Sequence, residues 1–280
     1  MKLKISACLV IYNEGKVLRR CLESLEDVVE EIIIVHDGEC KDKSLKIARE
    51  FGAKVYIREH IGEAEYHRPF AFNQAKGDWI LHIDADEFLS KRTRQEISKL
   101  IKSKECDAYA FRWPLWLLSK KCYISSGAYG SMFRASLFRK SKMYMFGIAH
   151  AHPQSIGKYC KREDLIVEHK PQTFSFSFEG LKTKIIPWAR IEASQILNWE
   201  KTPYFGRESR MHVSKKYKFI VNHPILSGIL AVIERKAWFF KNNGIFSEFI
   251  NYEILFFDLL RIFLTHWFIL IYKYRKSNSL

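Results

Sequence analysis

The stretch WILHIDADEF, Trp79 to Phe88, sets an apolar run directly against three acids: Asp84, Asp86 and Glu87. An apolar run of this length bounded by polar residues reads as a strand buried on both faces, over 78–84. Two carboxylates spaced i, i+2 at its end repel each other unless something positive sits between them. Oxygen donors of this kind suit Mg²⁺ or Mn²⁺, whose coordination is commonly completed by phosphate oxygens. A solvated turn capping a helix over 91–103 is the plainer alternative.

Working back from this stretch, strand and helix patterns alternate. ISACLVIY (5–12) is a strand, and a helix follows over about 14–26 with Asn13 as its cap. EIIIVHDG (31–38) is a second strand, followed by a helix over 42–51 that ends at Gly52. KVYIRE (54–59) is a third, with a helix over 65–76 carrying Pro69 in its first turn. Strands alternating with helices imply a parallel sheet with right-handed crossovers. Ligands of such sheets bind outside the carboxyl ends of the strands. Tyr12-Asn13, His36-Asp37-Gly38 and the acids after Ile83 therefore converge on one edge. Working forward, 107–118 reads as a strand entering an aromatic loop and 131–140 as a further strand. Beyond 176 the pattern is helical and aromatic.

LVIYNE (9–14), IIIVHDGECKD (32–42), His67-Arg68 ahead of Ala75-Lys76-Gly77-Asp78, and WILHIDADEF together resemble the family 2 glycosyltransferases. The resemblance is close over 3–90 and looser to about 170. It implies an α/β fold of the GT-A, Rossmann-like type: a mostly parallel sheet flanked by helices, here with an aromatic-rich C-terminal helical extension. It divides the chain into a catalytic domain, 1–175, and a helical, basic region, 176–280. It implies an inverting transfer of a sugar from a nucleotide-sugar donor. Tyr12 and Asp37 would contact the nucleotide base. Arg68 would face the donor phosphates, Asp84 the ribose or sugar side, and Asp86 the Mg²⁺ or Mn²⁺. His169 matches a downstream histidine and is a second candidate metal ligand. His36 departs from the usual acid or amide before Asp37. The acceptor-side base is the other departure: GIAHAHPQ (147–154) has no acid beside either histidine. Asp164 and His150 are the candidates, with Glu163 and His152 as neighbours.

The 280 residues carry a net charge of +15, unevenly spread. The first hundred residues hold 17 Lys/Arg against 18 Asp/Glu, so the whole excess lies beyond them. A basic face suits a polyanion or an anionic membrane. Arg112, Trp113, Trp116, Lys120 and Lys121, then Arg134, Arg139, Lys140 and Lys142, are expected on the acceptor side, as sugar platforms and phosphate contacts or as core and solvated face. The six cysteines form no CxxC pair, so free thiols in a reducing cytosol are expected. The uncharged runs 219–233 and 262–272 fall short of the roughly 18–20 residues that span a bilayer. Residues 245–276 are apolar almost all round and end in KYRK, a pattern for the membrane interface or for a buried helix. The expected setting is the cytoplasm, at the inner face of the cytoplasmic membrane, with a glycan or lipid-linked acceptor of the cell envelope. Two alternatives compete. A sugar-phosphate nucleotidyltransferase would carry a glycine-rich N-terminal loop, and LVIYNEGK has one glycine. A non-catalytic polyanion-binding protein fits the charge, but no nucleic-acid motif is present.

Overall fold

The computed structural model describes residues 3–118, 121–124, 129, 132–172, 178–206, 209–243 and 249–277. Lys120, expected on the acceptor side, lies outside them. β1 (Ile5–Ile11), β2 (Glu31–Asp37), β3 (Lys54–Arg58) and β4 (Trp79–His82) pair in parallel, in the order β3-β2-β1-β4. The sheet then continues β9-β6-β12-β5. β9 (Phe133–Arg139) runs antiparallel between β4 and β6 (Ala108–Arg112). β12 (Tyr159–His169) lies parallel to β6, and β5 (Glu87–Leu89) closes the edge antiparallel to it. The expected mostly parallel sheet is present, extended by one antiparallel insertion.

α1 (Leu18–Glu23), α2 (Ser44–Glu50) and α4 (Lys91–Lys102) cover one face of the sheet, α3 (Ala64–Gln74) the other. Each face has its own core: Leu9, Leu22, Trp79 and Leu137 on one side, Val35, Phe72, Ile80 and Phe138 on the other. Each such side chain, fully buried, stabilises the fold by about 1.5–3 kcal/mol. α4 starts where expected because Ser90 Oγ accepts the Thr93 amide at 3.3 Å. α1 starts later than expected. Asn13 has φ +54° and its Oδ1 accepts the Lys41 amide at 2.7 Å, so it ties two loops together instead of capping a helix.

Cys106 and Cys160 form a disulfide with Cα atoms 6.1 Å apart, against the expectation of free thiols throughout. Cys160 lies on β12 and Cys106 two residues before the adjacent β6, a proximity that a separation of 54 residues conceals. Cys8, Cys21, Cys40 and Cys122 are free.

The C-terminal region forms α5 (Ile186–Leu197), α6 (Ser209–Asn222), α7 (Pro224–Asn243) and α8 (Phe249–Ser277). α5 is entered through a π-helical turn, Leu181–Ile185. α8 corrects the expectation that no segment is long enough to span a bilayer. Tyr252–Arg275 has a mean hydropathy of 2.0 and the length and composition to cross a membrane, with a third of its most apolar stretch buried in the protein.

Glu31 anchors the amino-terminal edge of the sheet. It accepts from Lys54 Nζ at 2.8 Å, from Ser6 Oγ at 2.5 Å and from the Lys76 amide. Burial alone would raise its pKa, but these donors outweigh it and hold the group at about 2, below the 4.5 of an ordinary glutamate. The unfolded chain therefore takes up this proton near pH 4.5 and the folded chain only near pH 2. The stabilisation is complete above pH 4.5 and is lost as pH falls toward 2. Glu31→Gln is expected to cost about 2–3 kcal/mol at pH 7, with the deficit vanishing near pH 2. Urea denaturation at several pH values measures it.

Candidate active site

β1, β2 and β4 end side by side, and their polar termini form the floor of a cleft. Asp37, the last residue of β2, is 3% exposed. Its carboxylate accepts the amides of Ile61 at 2.7 Å and Gly62 at 2.9 Å, and lies 2.9 Å from His67 Nε2. Burial opposes ionisation here, but the His67 contact and the two amides lower its pKa. Both oxygens are thus committed to the chain, and Asp37 fixes the 60–62 turn. Gly38 is required beside it: its φ is +87°, and a Cβ would sit 2.8 Å from that of His60. Tyr12 is open to solvent and stacks on His60 with centroids 4.7 Å apart. His36 is buried. Its Nδ1 lies 2.8 Å from the Gly38 carbonyl and its Nε2 accepts the Asn13 amide at 3.3 Å. It braces two loops and does not face the cleft as a free side chain.

Asp84 sits between two arginines. Arg68 Nη2 reaches Oδ1 at 2.9 Å and Arg134 Nη2 reaches Oδ2 at 2.8 Å. Burial would raise its pKa, but Arg134 and then Arg68 hold it far below the usual carboxylate range. Arg68 is itself buried and also pairs with Glu65 at 2.9 Å. Glu87 is fully buried. It accepts the Asp84 amide at 2.9 Å, the indole N–H of Trp113, and Arg134. His82, buried alongside, is held neutral by desolvation and by the charges of Arg68 and Arg134.

Asp86 has a different setting. His169 Nε2 lies 3.3 Å from its Oδ2, and the His169 ring stacks on Trp113 at 4.3 Å. The His169↔Glu87 register between β12 and β5 brings them together. Glu14 approaches from the β1 loop and accepts from Gln172 at 3.2 Å. Burial first, and then Asp86 and Asp84, raise its pKa to about 7. Burial lowers the pKa of Lys184, on the π-helical turn, and nearby Asp86 and Glu14 oppose that shift only in part. Among the described residues no three His, Cys, Asp or Glu side chains converge tightly enough to hold a cation unaided.

Of the two base candidates, Asp164 is remote. It pairs on the surface with Arg92 and Arg162, both at 2.9 Å. It lies five residues back along β12 from His169, about 16 Å at the rise of a strand. His150 lines a separate cleft with His152, and desolvation together with Arg134 and Arg68 lowers the His152 pKa to about 4. His60, Arg134, Glu14 and Lys184 complete the site in roles the sequence did not assign them: Arg134, expected on the acceptor side, pairs instead with Asp84 and Glu87. His60 follows the third strand end, the one edge position left uninspected. The other three arrive from loops and from β9, with no local signal.

A family model described as "Glycosyl transferase family 2" matches residues 6–156. The chain belongs to glycosyl transferase family 2. An uncharacterized glycosyltransferase of Rickettsia bellii is 40% identical over 106 residues, 38% of this chain and 35% of that protein. The glycosyltransferase SunS of Bacillus subtilis is 28% identical over 102 residues, 36% of this chain and 24% of that protein. The match thus spans about a third or less of these relatives' own length. Among solved structures, residues 1–349 of S. aureus TarS align over 70% of this chain and 66% of that one, with TM-score 0.46 and 18% identity.

The Arg134–Glu87 pair is the buried contact on which this family 2 site rests. Arg134→Met strips Glu87 of its only described cationic partner, and is expected to destabilise the fold by about 3–5 kcal/mol. Glu87→Gln in the same chain should return part of that loss. A double-mutant cycle by denaturant titration measures the coupling.

Proposed function

We propose that this glycosyltransferase moves a sugar, with inversion, from a nucleoside-diphosphate sugar to a glycan or lipid-linked acceptor of the cell envelope. The observation that carries this reading is the pairing of a charge-locked Asp84 with a second acid, Asp86, at the carboxyl end of β4. Tyr12 and His60 offer a stacking surface for the base, above the turn that Asp37 holds. Arg68 and Arg134 stand where a departing diphosphate gains charge, which is where preorganised cations lower a barrier. A solved glucosyl-3-phosphoglycerate synthase of Mycobacterium tuberculosis is described as holding Mn²⁺ and UDP.

A divalent cation fits the residues present. Asp86 and His169 supply an oxygen and a nitrogen donor 3.3 Å apart. Glu14 is raised to about 7 by burial and by the surrounding negative charge. Asp86 and His169 would hold the ion, and the donor diphosphate would complete its shell. When bound it supplies charge neutralisation for the leaving group.

In the transfer step the acceptor hydroxyl attacks the anomeric carbon opposite the leaving group. The new C–O bond forms as the bond to the diphosphate breaks, and the hydroxyl proton passes to a base. His150 faces open space from which such a hydroxyl would come; Asp164 is engaged elsewhere. Thermal stabilisation by UDP, GDP, CDP and dTDP, each with and without Mn²⁺, tests the donor half. One nucleotide should raise Tm in a Mn²⁺-dependent way, and Asp86→Asn should abolish the Mn²⁺-dependent part. No shift with any nucleotide defeats the reading.

The same proposal places the enzyme at the inner face of the cytoplasmic membrane. α7 and α8 expose Ile225, Ile229, Ile233, Phe263 and Trp267 to solvent, beside the basic Lys236, Lys273 and Arg275. Apolar side chains rimmed by basic ones suit an anionic interface. Sedimentation with phosphatidylglycerol-containing vesicles at low salt should recover the protein, and Ile229→Asp with Phe263→Asp should leave it in the supernatant.

A further inference from the structure

A second cleft, about 650 Å³, lies between the 143–154 segment and helices α5 to α8. We propose that it binds the acceptor, and that this acceptor is an amphiphile: a neutral hydroxyl-bearing sugar headgroup on an apolar anchor. The proposal rests on the glycosyl-transfer reading and names the acceptor's chemistry and place.

Position comes first. The 143–154 wall of this cleft lies against α3, the helix that carries Arg68: a Cβ on Gly147 would sit 3.1 Å from the Glu65 carbonyl. The cleft therefore adjoins the donor phosphates' expected seat.

The floor is polar but balanced. Glu192 of α5 receives Arg261 at 2.8 Å and Thr265 Oγ at 3.0 Å, both from α8. Asp258 backs Arg261 and pairs with Arg235 of α7. Burial opposes the charge on Glu192, but His150, Arg261 and Thr265 hold its pKa near 2. Lys216 of α6 and Glu234 of α7 also line it, and His266 of α8 turns its Nδ1 to the Ile262 carbonyl. The lining Lys and Arg side chains, Lys216 and Arg261, thus equal in number the lining acids, Glu192 and Glu234. Such a surface presents hydrogen-bonding groups without net charge, which suits hydroxyls more than phosphate. Tyr144, Phe146 and Phe219 add aromatic faces, on which sugar rings pack.

His150 is set into this floor under strain. Its φ is +61°, unusual for a non-glycine residue. Its Nδ1 is buried and faces Glu192 Oε2 at 3.4 Å, within ion-pair range. Glu192 acts as a positioning residue: it orients the imidazole whose remaining edge meets the cleft.

The far end of the cleft is apolar. Leu230 lines it and is exposed, and its neighbour on α7, Ile229, lines a second groove of about 610 Å³ with Ile225, Leu226 and Leu270. Lys273 lines that groove too. A polar pocket and an apolar groove on the same helix, with a basic residue alongside, match a sugar headgroup whose chains remain in an anionic bilayer.

Saturation-transfer NMR on the full chain with UDP and Mn²⁺ tests this. The probes are octyl β-D-glucoside, galactoside, mannoside and N-acetylglucosaminide below their micelle concentrations, each against its free sugar. At least one octyl glycoside should show transfer to its ring protons, at least tenfold stronger than its free sugar. Ala231→Trp should abolish that signal while leaving the nucleotide-dependent Tm shift intact. Leu230→Asp, exposed and harmless to folding, should bring the octyl glycoside down to the level of the free sugar. Glu192→Gln should retain glycoside binding but lower turnover at saturating acceptor, a loss in kcat rather than KM. The proposal is overturned if no octyl glycoside binds, or if binding is unchanged in both cleft variants. Loss of the nucleotide shift in the wild type would instead overturn the transferase reading.

Discussion

The site depends on one arrangement of charge: two arginines closed around Asp84, with the buried Glu87 behind. A carboxylate and a guanidinium about 4 Å apart attract by about 4 kcal/mol at the effective dielectric of a protein surface. Three such contacts at one strand end outweigh the repulsion between neighbouring acids. They also divide labour between the two aspartates of the motif. Asp84 is saturated by protein donors and serves to aim Arg68 and Arg134. Among the described residues Asp86 pairs with no arginine; it faces His169 and the crowded Glu14, with Lys184 nearby. In the function proposed above, Asp86 is the acid that recruits positive charge from a ligand. Trp113 links the halves, donating to Glu87 while stacking on His169.

Much of this edge is legible in the sequence because each strand announces its own end. The apolar runs locate β1, β2 and β4, and a parallel sheet forces their polar termini together. What cannot be read is any partner arriving across the sheet. Arg134 belongs to β9, an antiparallel strand inserted between β4 and β6, 50 residues from Asp84. Nothing local separates it from Arg139, which meets Asp107 instead. The disulfide and the Lys184 approach are hidden for the same reason. Asp164 shows the converse: it is among the nearest acids in sequence to the GIAHAHPQ histidines, yet it sits out on the extended β12, paired on the surface with Arg92 and Arg162.

The C-terminal helices defeat run-counting in another way. Arg261 and Asp258 interrupt the apolar stretch of α8, so the sequence divides it into segments too short to matter. In the fold these charges meet Glu192 and Arg235, and the helix continues through them for 29 residues. A charge with a buried partner is not a boundary.

That same helix joins the cleft to the outer face. Arg261 and Thr265 are four residues apart and point inward to Glu192. Phe263 and Trp267 are offset from them by two residues, or about 200° around the axis, and are 58% and 50% exposed. About two turns of one helix therefore carry both the floor of the polar cleft and the apolar surface behind it. Rotation of α8 about its axis cannot move one without the other. Whatever seats Phe263 and Trp267 also fixes where Arg261 holds Glu192, and through Glu192 where the His150 ring faces. In the function proposed above, surface attachment and alignment of the polar cleft are then two consequences of the same helix position.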